Sequence, residues 1–335
     1  MAKAKKKVPA DNAEMQPQIT QKSVNEKSAK SAVIRCGTAA IVGRPNVGKS
    51  TLLNRILEEK VSIVSDVPQT TRFQIRGIYN DERGQIIFID TPGMHLGKDK
   101  LNAFMCQASA GTFDAVDCII YLTDASRHVG KEEKFVAEKL KDTKIPVILG
   151  FNKVDLKDVD IASYIAHWEE VKGMPVAEMK DFTLIALSAK DGSNIDKLIE
   201  IIFGYLPEGP ALYPEDMISD TPQKILIADI IREKLFHIMR EELPHAIGVV
   251  IDQLEHRKNK VLYIHGTILV ERESQKEIVI GKKGQVLKTI GTQARVEIQE
   301  LTESNKVFLE LYVKAEERWR DDITILRELG YDYTL

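Results

Sequence analysis

Gly43-Arg44-Pro45-Asn46-Val47-Gly48-Lys49-Ser50 fits the pattern G-x-x-x-x-G-K-[ST] without a gap. Glycines at the two fixed positions let backbone N–H groups face a phosphate, and Lys49 adds a point charge. The apolar run Thr38 to Val42 precedes the motif, and the helical pattern Thr51-Leu52-Leu53-Asn54-Arg55-Ile56-Leu57 follows it. That helix start adds positive potential. The expected ligand is a nucleoside triphosphate, and Thr51 belongs to the same phosphate site.

Asn152-Lys153-Val154-Asp155 follows the apolar run Val147–Leu149 and has the form N-K-x-D. A carboxylate at Asp155 can accept from guanine N1–H and from the exocyclic amine. Adenine offers an acceptor where guanine has N1–H, so charge-assisted bonds of roughly 1.5–3 kcal/mol each are lost. Guanine, hence GTP and GDP, is the predicted base. Ser188-Ala189-Lys190 follows the run Thr183–Leu187 and can offer a backbone N–H to the guanine carbonyl.

Asp90-Thr91-Pro92-Gly93 ends the run Ile86–Ile89. Asp90 suits a water-mediated hold on Mg²⁺, Ser50 Oγ its direct ligation, and Gly93 N–H the γ-phosphate. A second hydroxyl ligand is expected from Pro68-Gln69-Thr70-Thr71-Arg72, with Thr71 favoured over Thr70. Such segments order around the γ-phosphate and loosen on hydrolysis. Lys49, Thr71, Gly93 and Asn46 are the residues expected to act on the terminal phosphate. Met94 stands where Ras-like proteins carry a glutamine that orients the attacking water, and a thioether cannot do that. Asn46 offers a carboxamide oxygen that could hold a monovalent cation such as potassium; the plainer alternative is a loop cap.

These residues need a scaffold. From Thr38 to about Leu206, apolar runs alternate with helical patterns, which predicts an α/β fold with a mostly parallel sheet covered on both faces. Gln74 to Tyr79 reads as an antiparallel edge strand. Ligands then sit at the carboxyl ends of the strands. Pro207, Pro210, Pro214 and Pro222 break the pattern, so 207–222 reads as a linker between a domain at 33–206 and another at 223–335. The second is predicted to be a smaller α+β unit. It has a helix from Gln223 to about Met239 and strands near Ala246–Leu254 and Val261–Val270. A helix after Gly284 and a last strand, Val307 to Val313, complete it.

Ile278-Val279-Ile280-Gly281-Lys282-Lys283-Gly284-Gln285-Val286-Leu287-Lys288 carries an apolar run, G-x-x-G and a helix. This is the KH pattern, whose turn grips single-stranded RNA. Ile280, Gly281, Lys282, Lys283, Gly284 and Lys288 are the candidate contacts, with Arg257, Lys258 and Lys260 as further cations. The order helix, strand, strand, G-x-x-G, helix, strand resembles a type II KH domain. Counterion release predicts a salt slope of about -0.7 per neutralised phosphate on a single strand.

The chain has 335 residues, a net charge of -3 and three scattered cysteines. A strongly basic protein is excluded, so nucleic-acid contact must be local. Cys36, Cys106 and Cys118 suggest a reducing compartment rather than a disulfide framework. No apolar run is long enough to span a bilayer. Residues 1–31 read as a disordered basic tail opened by Lys3, Lys5, Lys6 and Lys7; they lack the apolar centre of a secretory signal and the arginines of a presequence.

Taken together, Gly43–Asn54, Gln69–Arg72, Asp90–Gly93, Asn152–Asp155, Ser188–Asn194 and the C-terminal domain resemble the Era-type GTPases of the TrmE–Era–EngA group. That group places a hydrophobic residue where Ras has its glutamine. EngA members carry two GTPase domains in tandem, and TrmE members a long domain ahead of theirs. The resemblance covers about residues 33–335. It implies binding near the 3′ end of small-subunit ribosomal RNA and a part in small ribosomal subunit assembly. It also implies potassium-dependent hydrolysis through Asn46, a cytoplasmic place and a monomer, with weak peripheral contact at the inner face of the cell membrane as a minor reading. Two rivals are an RNA-binding factor with a vestigial nucleotide site and an ATP-driven enzyme. The intact Lys49, Ser50 and Asp90 argue against the first, and Asn152 and Asp155 against the second.

Overall fold

Apolar runs that alternate with helices become neighbouring strands of one sheet. In the computed structural model, which describes residues 34–65, 74–93, 115–239, 243–258, 261–302 and 304–329, the first sheet has six strands in the order β2-β3-β1-β4-β5-β6. These are β1 (Arg35–Val42), β2 (Ile75–Asp81), β3 (Gly84–Asp90), β4 (Cys118–Asp124), β5 (Val147–Asn152) and β6 (Phe182–Ala186). All neighbours pair in parallel except β2, which runs antiparallel to β3 at the edge. Every residue of β4 and β5 is buried, because helices cover both faces.

On one face α1 (Lys49–Leu57) and α4 (Ile195–Tyr205) share a core with Leu52, Leu53, Phe88, Leu198 and Ile202. On the other face α2 (Lys131–Lys139) and α3 (Ile161–Lys172) pack through Val136, Tyr164 and Trp168. The Trp168 ring stacks on Phe182 with centroids 5.9 Å apart; Trp168→Ala would cost about 3–5 kcal/mol. Cys36 and Cys118 are buried free thiols.

Residues 207–222 do more than connect. Leu212 and Tyr213 donate main-chain N–H groups to Gln85 Oε1 at 2.8 and 3.0 Å. Ile78 N–H donates to Ile218 O at 2.8 Å. The segment is strapped along β2 and β3, where the prolines remove donors without breaking a ladder.

The second sheet has three strands in the order β7-β8-β9: Gly248–Arg257, Val261–Val270 and Lys306–Ala315. β7 and β8 are antiparallel, with a register shift between Ile251 and Gln253, and β9 lies parallel to β8. Helices α5 (Gln223–Ile238), α6 (Glu273–Ile280) and α7 (Gln285–Leu301) cover its inner face, burying Leu262, Ile264 and Ile268. The predicted strand Val261–Val270 coincides with β8, and the other two end within about three residues of β7 and β9. One element differs: Ile278–Ile280, read only as an apolar run, is the last turn of α6. The order helix, strand, strand, helix, helix, strand is that of a type II KH domain.

α8 (Ile323–Glu328) and Trp319 close one end of the opposite face against Leu269, and Trp319 Nε1 donates to Ala246 O at 3.0 Å. Among the described residues no helix is long and apolar enough to cross a membrane.

Candidate functional site: a nucleotide cleft at the strand ends and a basic turn on the second sheet

The parallel strands β1, β3, β4, β5 and β6 deliver their carboxyl ends to one edge, where the predicted motifs meet. A cleft of about 350 Å³ opens there, within the range of small-molecule sites. Pro45, Asn46, Gly48, Lys49, Ser50 and Thr51 line one side, Asn152, Lys153, Asp155, Ala189 and Lys190 another, and Gly93 a third. The structure therefore brings together residues far apart in sequence, from Pro45 to Lys190.

The phosphate loop turns from β1 into α1 through two left-handed residues, Asn46 (φ 61°) and Gly48 (φ 101°). A Cβ at position 48 would lie 2.4 Å from Asn152 Nδ2, so glycine is required twice over. Lys49 is only 6% exposed and donates to Gly43 O at 3.1 Å and Arg44 O at 3.0 Å. Burial pulls its pKa down to about 8, opposed by the Asp90 and Glu133 carboxylates. An anionic phosphate would restore the charged form.

Ser50 Oγ donates to Asp90 Oδ2 at 2.7 Å, and Ser62 Oγ to the same oxygen at 3.0 Å. This hard-oxygen group suits Mg²⁺, which prefers one or two protein ligands plus phosphate and water. Thr91 Oγ1 and N–H both reach Ile41 O, at 2.9 and 3.4 Å, and fix the turn after β3. Gly93 lies against the phosphate loop: a Cβ there would sit 2.9 Å from Pro45 Cγ and 3.0 Å from Pro45 Cα. Pro92 precedes it in the same turn. Thr70, Thr71, Met94, Cys106 and Lys260 lie outside the described residues.

The residues predicted to recognise the base are braced against the phosphate loop. Asn152 Nδ2 donates to Val47 O at 2.6 Å, and Asn152 Oδ1 accepts from Ala189 N–H at 2.9 Å. A base carbonyl at this point would share the Ala189 donor. Ser188 Oγ donates to Asp155 Oδ1 at 2.7 Å and aims that carboxylate. Lys153 Nζ reaches Asn46 O at 3.0 Å and Asp124 Oδ2 at 2.8 Å.

Behind the loop lies a buried charge network that the sequence motifs do not announce. Arg44, 8% exposed, donates to Glu133 Oε1 at 2.7 Å and to Asp124 Oδ2 at 3.2 Å. Burial works against the Asp124 carboxylate, yet Lys153, Ser126 and Arg44 outweigh it and hold its pKa below the ordinary value. Burial raises that of Glu133 despite Arg44. Other residues missed at the sequence level are Arg55, Asn54 and Ile63–Ser65. Arg55 binds Ala189 O at 3.4 Å, Asn54 pins the chain at Val61 and Ser62, and Ile63–Ser65 line the cleft. Asp124 had one available signal, its place at the carboxyl end of an apolar run beside the phosphate strand.

In the second sheet's layer, Gly281-Lys282-Lys283-Gly284 forms a tight turn between α6 and α7. Gly281 (φ 70°), Lys283 (φ 53°) and Gly284 (φ 72°) are left-handed. A Cβ on Gly281 would fall 2.4 Å from Val286 Cγ2. Lys282, Lys283 and Lys288 are exposed, and Ile280 is half-buried. Arg257 and Lys258 stand away in sequence at the end of β7 and are exposed.

Comparison with known proteins gives a consistent result. Residues 38–153 match a family model described as 50S ribosome-binding GTPase, and residues 242–320 match the KH domain. The chain is 44% identical to GTPase Era of Geobacter sp. (strain M21), covering 89% of this chain and 98% of that protein. Identity to GTPase Era of Alkaliphilus metalliredigens (strain QYMF) is also 44%, over 89% and 99% of the two chains. An Aquifex aeolicus Era variant solved with GDP·AlF4⁻ superposes with a TM-score of 0.81 at 38% identity, over 89% of this chain and 99% of that one. Era in complex with MgGDPNP and nucleotides 1506–1542 of 16S ribosomal RNA gives the same identity, coverage and TM-score.

Proposed function

This chain belongs to the Era GTPase family, and from that premise we propose that it is a GTP-hydrolysing switch. In this reading it binds small-subunit ribosomal RNA near the 3′ end and assists small-subunit assembly in the cytoplasm. One observation carries the reading. A single chain pairs a cleft holding Lys49, Ser50 and Asp155 with a left-handed Gly281–Gly284 turn whose lysines face solvent. The description of the GTPase family model names the 50S subunit, whereas the Era chain matched over its whole length was solved with 16S RNA. The nearer relative guides the proposal.

Within the cleft, Gly43 to Thr51 cradle the phosphates, and Asp155, Asn152, Lys153 and the Ser188–Lys190 segment hold guanine. Mg²⁺ fits Ser50 and Asp90 and would neutralise phosphate charge there, with Thr71 as the further hydroxyl. Gly93 N–H meets the γ-phosphate. Asn46, exposed at the rim, is proposed to hold potassium through its carboxamide; turnover equal in sodium and potassium buffers would end that part of the account.

The switch has a physical route. Gln74, which leads into β2, follows Thr71 after Arg72 and Phe73. On β2, Arg76 pairs with Asp220 at 3.0 Å and Ser219 Oγ donates to Arg76 O at 2.7 Å. From the other end of α1, Lys60 forms ion pairs with Glu233 of α5 and Glu297 of α7. Ordering of the Thr70–Thr71 segment by GTP thus acts on elements bonded to the RNA-binding layer. RNA affinity shifts by the difference in contacts between states, and RNA alters nucleotide affinity reciprocally. Recovery of ribosomal RNA from lysate with the protein loaded first with GDP and then with a non-hydrolysable GTP analogue tests this. Unequal recovery is expected; equal recovery in both states would contradict the switch.

A further inference from the structure

We propose that the outer face of the second sheet is a stacking track for single-stranded RNA, continuing from the Gly281–Gly284 turn; the proposal rests on the RNA reading of that turn. The inner face is filled by helices, but the outer face, beyond the end closed by α8, carries an aromatic group that no helix among the described residues covers. Phe308 is 48% and Tyr312 57% exposed. Tyr263 and Phe308 lie side by side with ring centroids 5.7 Å apart and planes within 17°. His265 and Tyr312 rings are 4.9 Å apart, and the Arg257 guanidinium sits 3.8 Å from the Tyr263 centroid.

Alternation along β9 places Lys306, Phe308, Glu310, Tyr312 and Lys314 on this one face. Cations flank the aromatics, and the carboxylates between them are engaged. Glu310 accepts from the Tyr263 hydroxyl. Asp252 accepts from Thr267 Oγ1 at 2.8 Å and faces His265 Nδ1 at 3.1 Å. Of the cations, Arg257 faces Glu255 at 3.9 Å and Lys314 pairs with Glu316 at 2.7 Å, so a phosphate would compete with those carboxylates. Aromatic surface bordered by cations is the combination that holds unpaired bases and their backbone.

The track is continuous with the turn. α7 runs antiparallel to β9, and position 291 on it faces Leu311, with a Cβ at Gly291 3.8 Å from Leu311 Cδ1. Six helical residues back, about 9 Å, lies Gln285 at the turn. That distance spans roughly three strand residues and brings the turn level with Val313 and Lys314. A strand leaving Lys282 and Lys283 and crossing the β9 edge meets Tyr312, then Phe308 and Tyr263, then Lys306 and Arg257. A G-x-x-G turn clamps about four nucleotides, so a longer RNA such as the one held by the Era relative needs further surface.

The test uses the full chain and single strands cut stepwise from nucleotides 1506–1542 of 16S ribosomal RNA, down to about four nucleotides. The Phe308→Ala, Tyr312→Ala double variant is expected to lose about 10-fold or more in affinity for the longer strands. Its affinity for the shortest strand stays within about twofold, which also reports an intact turn. Phe308→Tyr with Tyr312→Phe restores binding. Lys282→Glu with Lys283→Glu weakens every length. If that charge reversal weakens all lengths and the aromatic variant weakens none, the track is wrong and the turn stands. If neither variant changes any affinity, the RNA reading falls with it. If the aromatic variant loses association with small subunits but keeps every RNA, the face is a protein-binding site and the proposal is overturned.

Discussion

Glu133 of α2 holds Arg44 of the phosphate loop through a 2.7 Å bond, with both side chains almost entirely out of solvent. Arg44 also meets Asp124, which in turn takes Lys153 of the base-recognition motif. Asp124 therefore ties the phosphate-loop motif to the N-K-x-D motif. A buried charge stripped of its partner is costly, whereas removing both partners costs much less. Glu133→Ala should lower stability by about 3–5 kcal/mol in urea unfolding and speed GDP release. Glu133→Leu combined with Arg44→Met should recover much of that stability but not the slow release. Additive losses in the double variant would show that the two side chains do not act as a pair.

Lys49 gives the empty protein a pH dependence. Its pKa of about 8 lies below the ordinary 10.5, so between those values the folded chain binds fewer protons than the unfolded one. This group therefore lets stability rise with pH through that window. Nucleotide binding has the opposite sign, because phosphate favours the ammonium. GTP and GDP affinity should be constant below pH 8 and then fall by up to about tenfold per unit. Titration calorimetry between pH 7 and 9 measures it, and Lys49→Met should remove this component of the slope. A slope that survives the substitution would assign it elsewhere.

Gly93 touches Pro45 so closely that a methyl group has no room. Gly93→Ala should push the turn after β3 off the phosphate loop. Hydrolysis should drop at least about tenfold, while GDP affinity changes by less than about threefold, since GDP lacks the γ-phosphate that this turn is proposed to meet. A loss of GDP binding equal to the loss of turnover would place the residue in general loop packing.

Gly281 has a similar constraint in the other sheet. Its left-handed backbone and the nearby Val286 side chain both oppose a Cβ. Gly281→Ala should deform the turn, lower RNA affinity about tenfold or more and leave nucleotide turnover in the absence of RNA unchanged. RNA affinity equal to that of the unaltered protein would remove the turn from the interface.

The strands of the first sheet were legible because each is a continuous apolar run closed by polar residues, as at Ile86–Asp90 and Val147–Asn152. The motif residues were legible because they sit on the turns that follow those strands. α6 was not. Its first turns, Glu273 to Glu277, are polar, and only Val279 is fully buried, so no apolar stripe declares a helix. The strap at 207–222 looked like a linker because its partners are single residues of distant strands, Gln85 and Ile78. Arg44 is legible as a phosphate-loop residue, but its buried ion pairs are not, because its two carboxylates lie 80 and 89 residues away. Spacing within a motif reports local geometry, whereas these contacts exist only once the sheet has formed.

Base selection is the claim on which the rest turns. Ser188 and the β5 terminus aim Asp155 into the cleft, where it should supply two charge-assisted bonds to guanine. The decisive measurement is competition of GTP and ATP for purified protein and for Asp155→Asn. The account predicts that the substitution weakens GTP by about 100-fold or more, from about 3 kcal/mol of lost bonding, and leaves ATP as weak as before. A GTP-to-ATP preference unchanged by Asp155→Asn would contradict it.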